Sequence, residues 1–310
     1  IRLLPKRHRR VKTGHPWIYS NEIELTAAAK ALPPGTVVAF ENAGGEPLGA
    51  GFFNPKPLVV GRMLSPDADA EIGQAFFEDR IRQALALRDR LFPEPFYRLI
   101  HAEADRMPGM VVDRYGDILV AQLNSAGAAR QADAIVGALQ AVLAPKAMLL
   151  RQDSPARTVE GIPSEADRVV GDLPEPVELL ENGLVFLADV AGGQKTGWFY
   201  DQRVNRAAVA AVSAGARVLD VYCYLGGFGL NAAAAGAAEV DLVDRSEPAL
   251  TLAAAAAKRN GLTERCRFER SDAFAFLEQA VKAGRRWDVV VVDPPAFVKS
   301  RKDLSAGLRG

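Results

Sequence analysis

From Asp201 onwards, short apolar runs alternate with helical ones, and each apolar run ends in or beside an aspartate. The apolar runs are 217–222, 239–243, 267–270 and 287–292, and the helical stretches between them are 229–235, 248–260 and 273–283. Strands that alternate with helices call for a parallel, doubly wound sheet, because parallel neighbours need a crossover to connect them. In such sheets the ligand lies in the crevice outside the carboxyl ends of the strands, where the strand order reverses. Asp220, Asp244, Asp272 and Asp293 stand at those ends, each one βα unit after the last, so the pattern predicts four carboxylates around one pocket.

The first strand runs into Cys223-Tyr224-Leu225-Gly226-Gly227-Phe228-Gly229. Glycines here let the backbone turn sharply into a helix and approach a ligand closely. Gly227-Phe228-Gly229-Leu230-Asn231-Ala232 satisfies the dinucleotide fingerprint G-x-G-x-x-A, with Asp244 near the position of a ribose-binding acid. A NAD-binding oxidoreductase is therefore one reading. Its glycines, however, come several residues after the strand rather than at its end. It also gives no role to Asp220, to Ser271-Asp272-Ala273-Phe274 or to Asp293-Pro294-Pro295-Ala296-Phe297. A pocket for S-adenosylmethionine (SAM) employs all of them.

Composition narrows the remaining classes. Among 310 residues, 38 basic side chains balance 38 acidic ones, which argues against wholesale electrostatic binding to nucleic acid but hides local asymmetry. Cys223 and Cys266 are too few for a disulfide framework or a four-thiolate zinc site, and His8, His15 and His101 lack metal-ligand spacing. Charge-poor stretches such as 248–257 are Ala-rich and far shorter than a bilayer span. The basic N-terminus is not followed by the apolar stretch of a signal peptide. A cytoplasmic, metal-free protein with no membrane segment is the expectation.

Three segments are predicted. Residues 1–66 carry Arg2, Lys6, Arg7, Arg9, Arg10 and Lys12 before the first acid at Glu22, then short strands at 36–40, 48–53 and 58–63 spaced as in a small barrel. The charge run alone reads equally well as a solvated tail. Gly14-His15-Pro16-Trp17-Ile18-Tyr19 beside it favours RNA, since stacking faces next to phosphate-pairing cations are how single strands are held. Residues 67–175 read as a central α+β domain, with a helix over 72–91, a hairpin of 110–114 and 118–123, a helix over 128–143 and a strand at 147–152. Asp105, Asp113 and Asp153 read there as solvated acids at turns or strand edges. Residues 176–310 open with a hairpin around Asn182-Gly183, the strongest short-range turn signal, and continue into the doubly wound sheet.

At this point the residues carry a family resemblance. Val218-Leu219-Asp220-Val221-Tyr222-Cys223-Tyr224-Leu225-Gly226-Gly227-Phe228 resembles the first motif of class I methyltransferases, and Asp293-Pro294-Pro295 their fourth. Gly193-Gln194-Lys195-Thr196-Gly197-Trp198-Phe199-Tyr200-Asp201-Gln202-Arg203 and Asp293 to Phe297 resemble, more narrowly, the bacterial 23S ribosomal RNA cytosine-C5 methyltransferases that carry an N-terminal PUA domain. Arg9-Arg10 and His15-Pro16-Trp17-Ile18-Tyr19-Ser20 look like the start of that PUA domain. The resemblance implies a Rossmann-like class I methyltransferase domain preceded by a PUA-like β-barrel and a central α+β domain. It implies S-adenosyl-L-methionine held by Gln202, Asp220, Tyr224, Gly226, Gly227, Phe228, Asp244, Asp272, Ala273 and Asp293, with Asp244 on the ribose and Asp272 on the adenine amino group. Carboxylates suit both because each ligand group is a donor. Asp293 would also position a flipped target cytosine. Arg7, Arg9, Arg10, His15 and Trp17 would bind the partner, large-subunit ribosomal RNA; a homodimer stays open.

Two departures shape the expectation. Leu225 stands where relatives commonly have Thr. Methylating C5 of cytosine also generally needs a thiolate to attack C6, and the family's cysteine lies on a later strand than any in this chain. Cys223 and Cys266 read as small buried or linker residues. The apolar run Val289–Val292 predicts a strand covered on both faces and flanked by neighbours, yet only a short segment follows Asp293. The expectation is a C-terminally truncated domain that cannot complete the cytosine reaction. Rivals are a methyltransferase for another atom or substrate and an RNA-binding protein with a vestigial catalytic half, with the oxidoreductase behind both.

Overall fold

A computed structural model describes residues 1–295, so the readings placed on Ala296 and Phe297 lie outside the described residues. The chain divides into two compact units: Ile1–Val177 with Val190–Trp198, and Glu178–Asp189 with the chain from Phe199 on. No helix among the described residues is long and apolar enough to cross a membrane.

The first unit contains two sheets. The N-terminal one has the order β1-β4-β3-β2, built from β1 (Trp17–Tyr19), β2 (Thr36–Glu41), β3 (Pro47–Phe53) and β4 (Val59–Ser65), with the short helices α1 (Arg9–Lys12) and α2 (Ala27–Ala31) beside it. The β2–β3 turn forms because the Asn42 carboxamide oxygen accepts the Gly44 and Glu46 N–H groups at 2.8 and 3.1 Å. The basic arm is no solvated tail. Leu3 is 1% exposed and donates its N–H to Glu41 O at 2.8 Å, and Leu3 and Val11 join Ile18, Ile23, Phe40, Phe53 and Val60 in one core. Apolar anchors at both ends of a charge run fix it to the sheet while its cations stay outside.

The second sheet has the order β5-β6-β7-β8-β9, from β5 (Phe96–His101), β6 (Met110–Tyr115), β7 (Ile118–Leu123), β8 (Ala147–Arg151) and β9 (Arg168–Gly171). Helix α3 (Gln74–Leu91) packs Phe77, Ile81 and Ala84 into its core. The predicted helix over 128–143 is two helices, α4 (Ala126–Arg130) and α5 (Ala132–Leu143), separated at Gln131. A further short helix, α6 (Pro155–Glu160), starts at a Ser154 cap. Two of the three acids expected in solvent are paired instead, Asp113 fully buried and Asp105 half-buried. Asp113 is 0% exposed, accepts both Arg98 Nε and Nη2 at 2.9 Å, and also accepts the Thr196 hydroxyl. Asp105 takes Arg88 through two bonds of 2.6 and 2.7 Å. Each is held by a planar guanidinium from a neighbouring element, a partner whose distance in sequence hid the pairing.

The second unit begins with the hairpin β10 (Val177–Glu181) and β11 (Leu184–Ala188), whose turn has φ of +54° at Asn182 and +78° at Gly183, as a type I′ turn requires. Then follow α7 (Arg203–Ala211), β12 (Arg217–Val221), α8 (Gly227–Ala234), β13 (Glu239–Asp244), α9 (Glu247–Arg259), β14 (Cys266–Arg270), α10 (Ala273–Lys282) and β15 (Val289–Val292). The four strands form a parallel sheet in the order β14-β13-β12-β15. Val218, Leu219 and Val221 of β12 are buried, as its central position demands. The expectation that β15 is covered on both faces is not met among the described residues: Val290 and Val292 are 50% and 53% exposed.

Candidate cofactor site

Strand β12 is followed by β13 and β14 on one side, and the chain then returns to place β15 on the other. The crevice at such a reversal is where an open α/β sheet binds its ligand. All four aspartates lie at this edge: Asp220 within β12, Asp244 at the last position of β13, Asp272 just past β14 and Asp293 just past β15.

Asp220 is 2% exposed and its Oδ2 accepts the Gly229 N–H at 2.8 Å. Burial pushes its carboxyl up to about 7; the Gly229 N–H and the Arg206 guanidinium oppose that, while the charges of Asp244 and Asp293 add to it. Asp244 is half-buried and accepts the Tyr224 N–H on Oδ2 and the Ser246 N–H on Oδ1, both at 2.8 Å. Each oxygen keeps lone-pair capacity for a further donor. Asp272 is the exposed N-cap of α10 and receives the Phe274 and Ala275 N–H groups at 3.0 and 3.3 Å, both on Oδ1. Ala273, the next residue, is buried. Asp293 is exposed, beside the exposed Pro294 and Pro295.

The loop between β12 and α8 takes three left-handed residues: Tyr222 at φ +64°, Tyr224 at +50° and Gly226 at +74°. Only the last is a glycine, and left-handed backbone at a residue with a Cβ costs on the order of 1 kcal/mol. The Asp244 carboxylate on the Tyr224 N–H and the Phe199 ring, edge-on to Tyr224 at 5.9 Å, hold that conformation. Gly229 is required by space, since a Cβ there would stand 2.7 Å from Leu242 Cδ2 and 3.2 Å from Asp220 Oδ2. Asp220 and Asp244 are thus each hydrogen-bonded to the 223–229 segment, at Gly229 and at Tyr224. Gln202 stands in the short turn before α7, where its side-chain oxygen accepts from Asn205 Nδ2 at 2.7 Å. Phe228 is half-buried, with Arg206 Cζ 5.8 Å from its ring.

Sequence reasoning passed over Arg206 and Glu181. Arg206 on α7 is 4% exposed and donates to Glu181 Oε1 at 2.6 Å, and Glu181 is itself 2% exposed. The only signal is the spacing of Arg206 after Gln202 and Arg203, which puts it one helical turn on, facing inward. Cys223 and Cys266 are both buried, as expected; burial raises both thiols, Cys266 to about 11. Among the described residues no group of three or more His, Cys, Asp or Glu side chains could hold a metal ion.

In the N-terminal sheet, Arg7 and Arg9 are exposed. Arg10 lies over the Tyr19 ring at 5.0 Å and bonds His15 Nε2 at 2.7 Å. Trp17 is half-buried and donates its indole N–H to Glu103 Oε1 at 2.8 Å, so one edge of that ring is anchored.

A central strand running into a glycine-turned loop, with carboxylates at the strand-order reversal, defines a Rossmann-like nucleotide-binding domain. The family model described as S-adenosylmethionine-dependent methyltransferase matches residues 157–309, and that of a PUA-like domain matches residues 1–66. The chain is a SAM-dependent methyltransferase, which sets aside the oxidoreductase reading of its glycines. It is 38% identical to the Ribosomal RNA large subunit methyltransferase I of Photobacterium profundum and to that of Shewanella frigidimarina, matching over all of this chain and 79% of each relative. The chain belongs to this ribosomal RNA large subunit methyltransferase I family. The crystal structure of SMU.776 complexed with SAH, 22% identical, superposes with a TM-score of 0.82 over 97% of this chain and 78% of that one, a likeness of fold.

Proposed function

We propose that the protein transfers a methyl group from SAM to large-subunit ribosomal RNA, at C5 of a cytosine, in the cytoplasm. The observation that carries the reading is the crevice in which Asp220 and Asp244 are bonded to the glycine loop, with Asp272 and Asp293 on the flanking strand ends. The residues fit the cofactor: Gly226, at a φ of +74°, turns the loop into its helix, Asp244 has acceptor capacity for a ribose diol, and Asp272, just past β14, offers an acceptor for an adenine amine. Gln202, Tyr224, Phe228 and Ala273 would complete the cofactor's surroundings. Bound there, SAM supplies an electrophilic methyl on a sulfonium.

The chain's own groups bind, orient and neutralise. Carboxylates gathered at one sheet edge favour a cationic ligand, and Asp293 beside two prolines offers an acceptor for the amino edge of a flipped cytosine. Residues 1–66 act as the PUA-like RNA-binding domain, with Arg7, Arg9 and Arg10 on phosphates and His15 and Trp17 beside them, and residues 67–175 as the connecting domain. Attack on C6 needs a thiolate. Neither Cys223 nor Cys266 suits it, since both are buried with raised pKa values. The test is transfer of label from methyl-labelled SAM to large-subunit ribosomal RNA, followed by nucleoside analysis. A protein that also carries the cysteine which the resemblance puts on a later strand is expected to give 5-methylcytidine, while residues 1–310 alone bind SAM without forming it; label on another atom of the RNA, or 5-methylcytidine formed by residues 1–310 alone, would refute the assignment.

A further inference from the structure

Two independent ties run from the β10–β11 hairpin to the glycine loop. In one, Glu181 Oε1 accepts Arg206 Nη1 at 2.6 Å, and Arg206 lies against Gly227 so closely that a Cβ there would stand 2.6 Å from its Nε. In the other, Asn182 Nδ2 donates to Asn231 Oδ1 at 3.0 Å, and Asn231 Nδ2 donates to Gly227 O at 2.7 Å. Both end on the same glycine, at the first turn of the helix that follows the loop. We infer that this hairpin and Arg206 form a brace that positions the methyl-donor loop and sets a cation against the buried Asp220, so that Arg206 is a positioning residue for cofactor binding. The inference rests on the reading of this crevice as the SAM site.

Charge explains why an arginine serves where an apolar side chain would fill the same space. Asp220 is faced by Arg206 from α7, by Asp244 from β13, by Asp293 after β15, by the Cys223 thiol in the loop and by the Gly229 N–H of α8. Burial and two carboxylates favour its neutral form; Arg206 is the cation that opposes them. Glu181 in turn holds Arg206 and, at 3.3 Å, Arg203. A cationic cofactor binds the ionised form of Asp220 more tightly, which couples the brace to SAM affinity through pH.

Two readouts on the full chain test this. Carbon-13 NMR of the Asp220 carboxyl, without cofactor, is expected to titrate at about 7 in the unaltered protein and at least about one unit higher in Arg206→Met. SAM dissociation constants by calorimetry should then be about fivefold weaker for Arg206→Met at pH 7, with the gap shrinking to less than about twofold at pH 9, as the ionised fractions dictate. Arg206→Lys, which keeps the charge, should restore the midpoint. If Arg206→Met does not fold, Arg206→Gln, which also removes the charge, is read the same way. An unchanged Asp220 midpoint, or a loss of affinity independent of pH, would overturn the brace. Failure of the unaltered protein to bind SAM would instead overturn the cofactor reading, and the carboxyl titration separates the two.

Discussion

Asp220→Asn should make the cofactor-free protein more stable above neutral pH. The carboxyl is buried and its pKa is raised from 3.8 to about 7. For an acid the sign is fixed: a folded-state pKa above the unfolded one means that the folded state binds the proton more tightly. Nothing is lost below pH 4, where both states are protonated. Stability falls as pH rises from 4 towards 7, and the full penalty holds above about 7. A shift of about three units at about 1.4 kcal/mol each gives about 4 kcal/mol. Asparagine has nearly the shape of the protonated acid, and its oxygen can still accept the Gly229 N–H. In urea titrations followed by circular dichroism, the variant should match the unaltered protein near pH 4 and exceed it increasingly to pH 8, with weakened SAM binding. Lower stability than the unaltered protein at pH 8, or a difference that does not vary with pH, would refute the argument. A destabilising carboxylate retained at a ligand site is what a trade between stability and function looks like.

Gly229→Ala places a methyl 2.7 Å from Leu242 Cδ2 and should weaken SAM about tenfold while costing about 1–3 kcal/mol of stability, by overpacking; unchanged affinity in calorimetry would count against the loop. Both thiols should react slowly with a disulfide reagent at pH 8 in the folded protein and rapidly in urea, because burial raises them; fast reaction of either in the folded protein contradicts that. Reversing Arg7, Arg9 and Arg10 to Glu should weaken RNA binding broadly across sequences and flatten its salt dependence, and an affinity unchanged at low salt would remove the arm from the interface.

The positions of the four aspartates were legible because they follow from a period: each strand-helix unit repeats, and the carboxyl end of a parallel strand is where its side chains meet a ligand. The type I′ turn at Asn182-Gly183 was legible because backbone handedness demands those residues. The Arg206–Glu181 pair was not. Each is one charged residue in an amphipathic element, and the partner comes from an element separated by a loop, so no local pattern marks the contact. Asp113 was misread for the same reason, its burial being decided by Arg98 and Thr196. The basic arm was ambiguous because its fastening depends on two isolated apolar residues, Leu3 and Val11, too sparse for a periodic signal. Strand β1, at three residues, is too short to show alternation, and its pairing with β4 supplies what its sequence lacks.

Calorimetric titration of the purified chain with SAM and with NAD, each repeated on Asp244→Ala, tests the central claim most directly. Saturable one-to-one binding of SAM, lost or weakened at least about tenfold in the variant because a carboxylate in reach of ribose donors is gone, with no binding of NAD, is the expected result. Preferential binding of NAD, or SAM binding indifferent to Asp244, would contradict the assignment of this crevice.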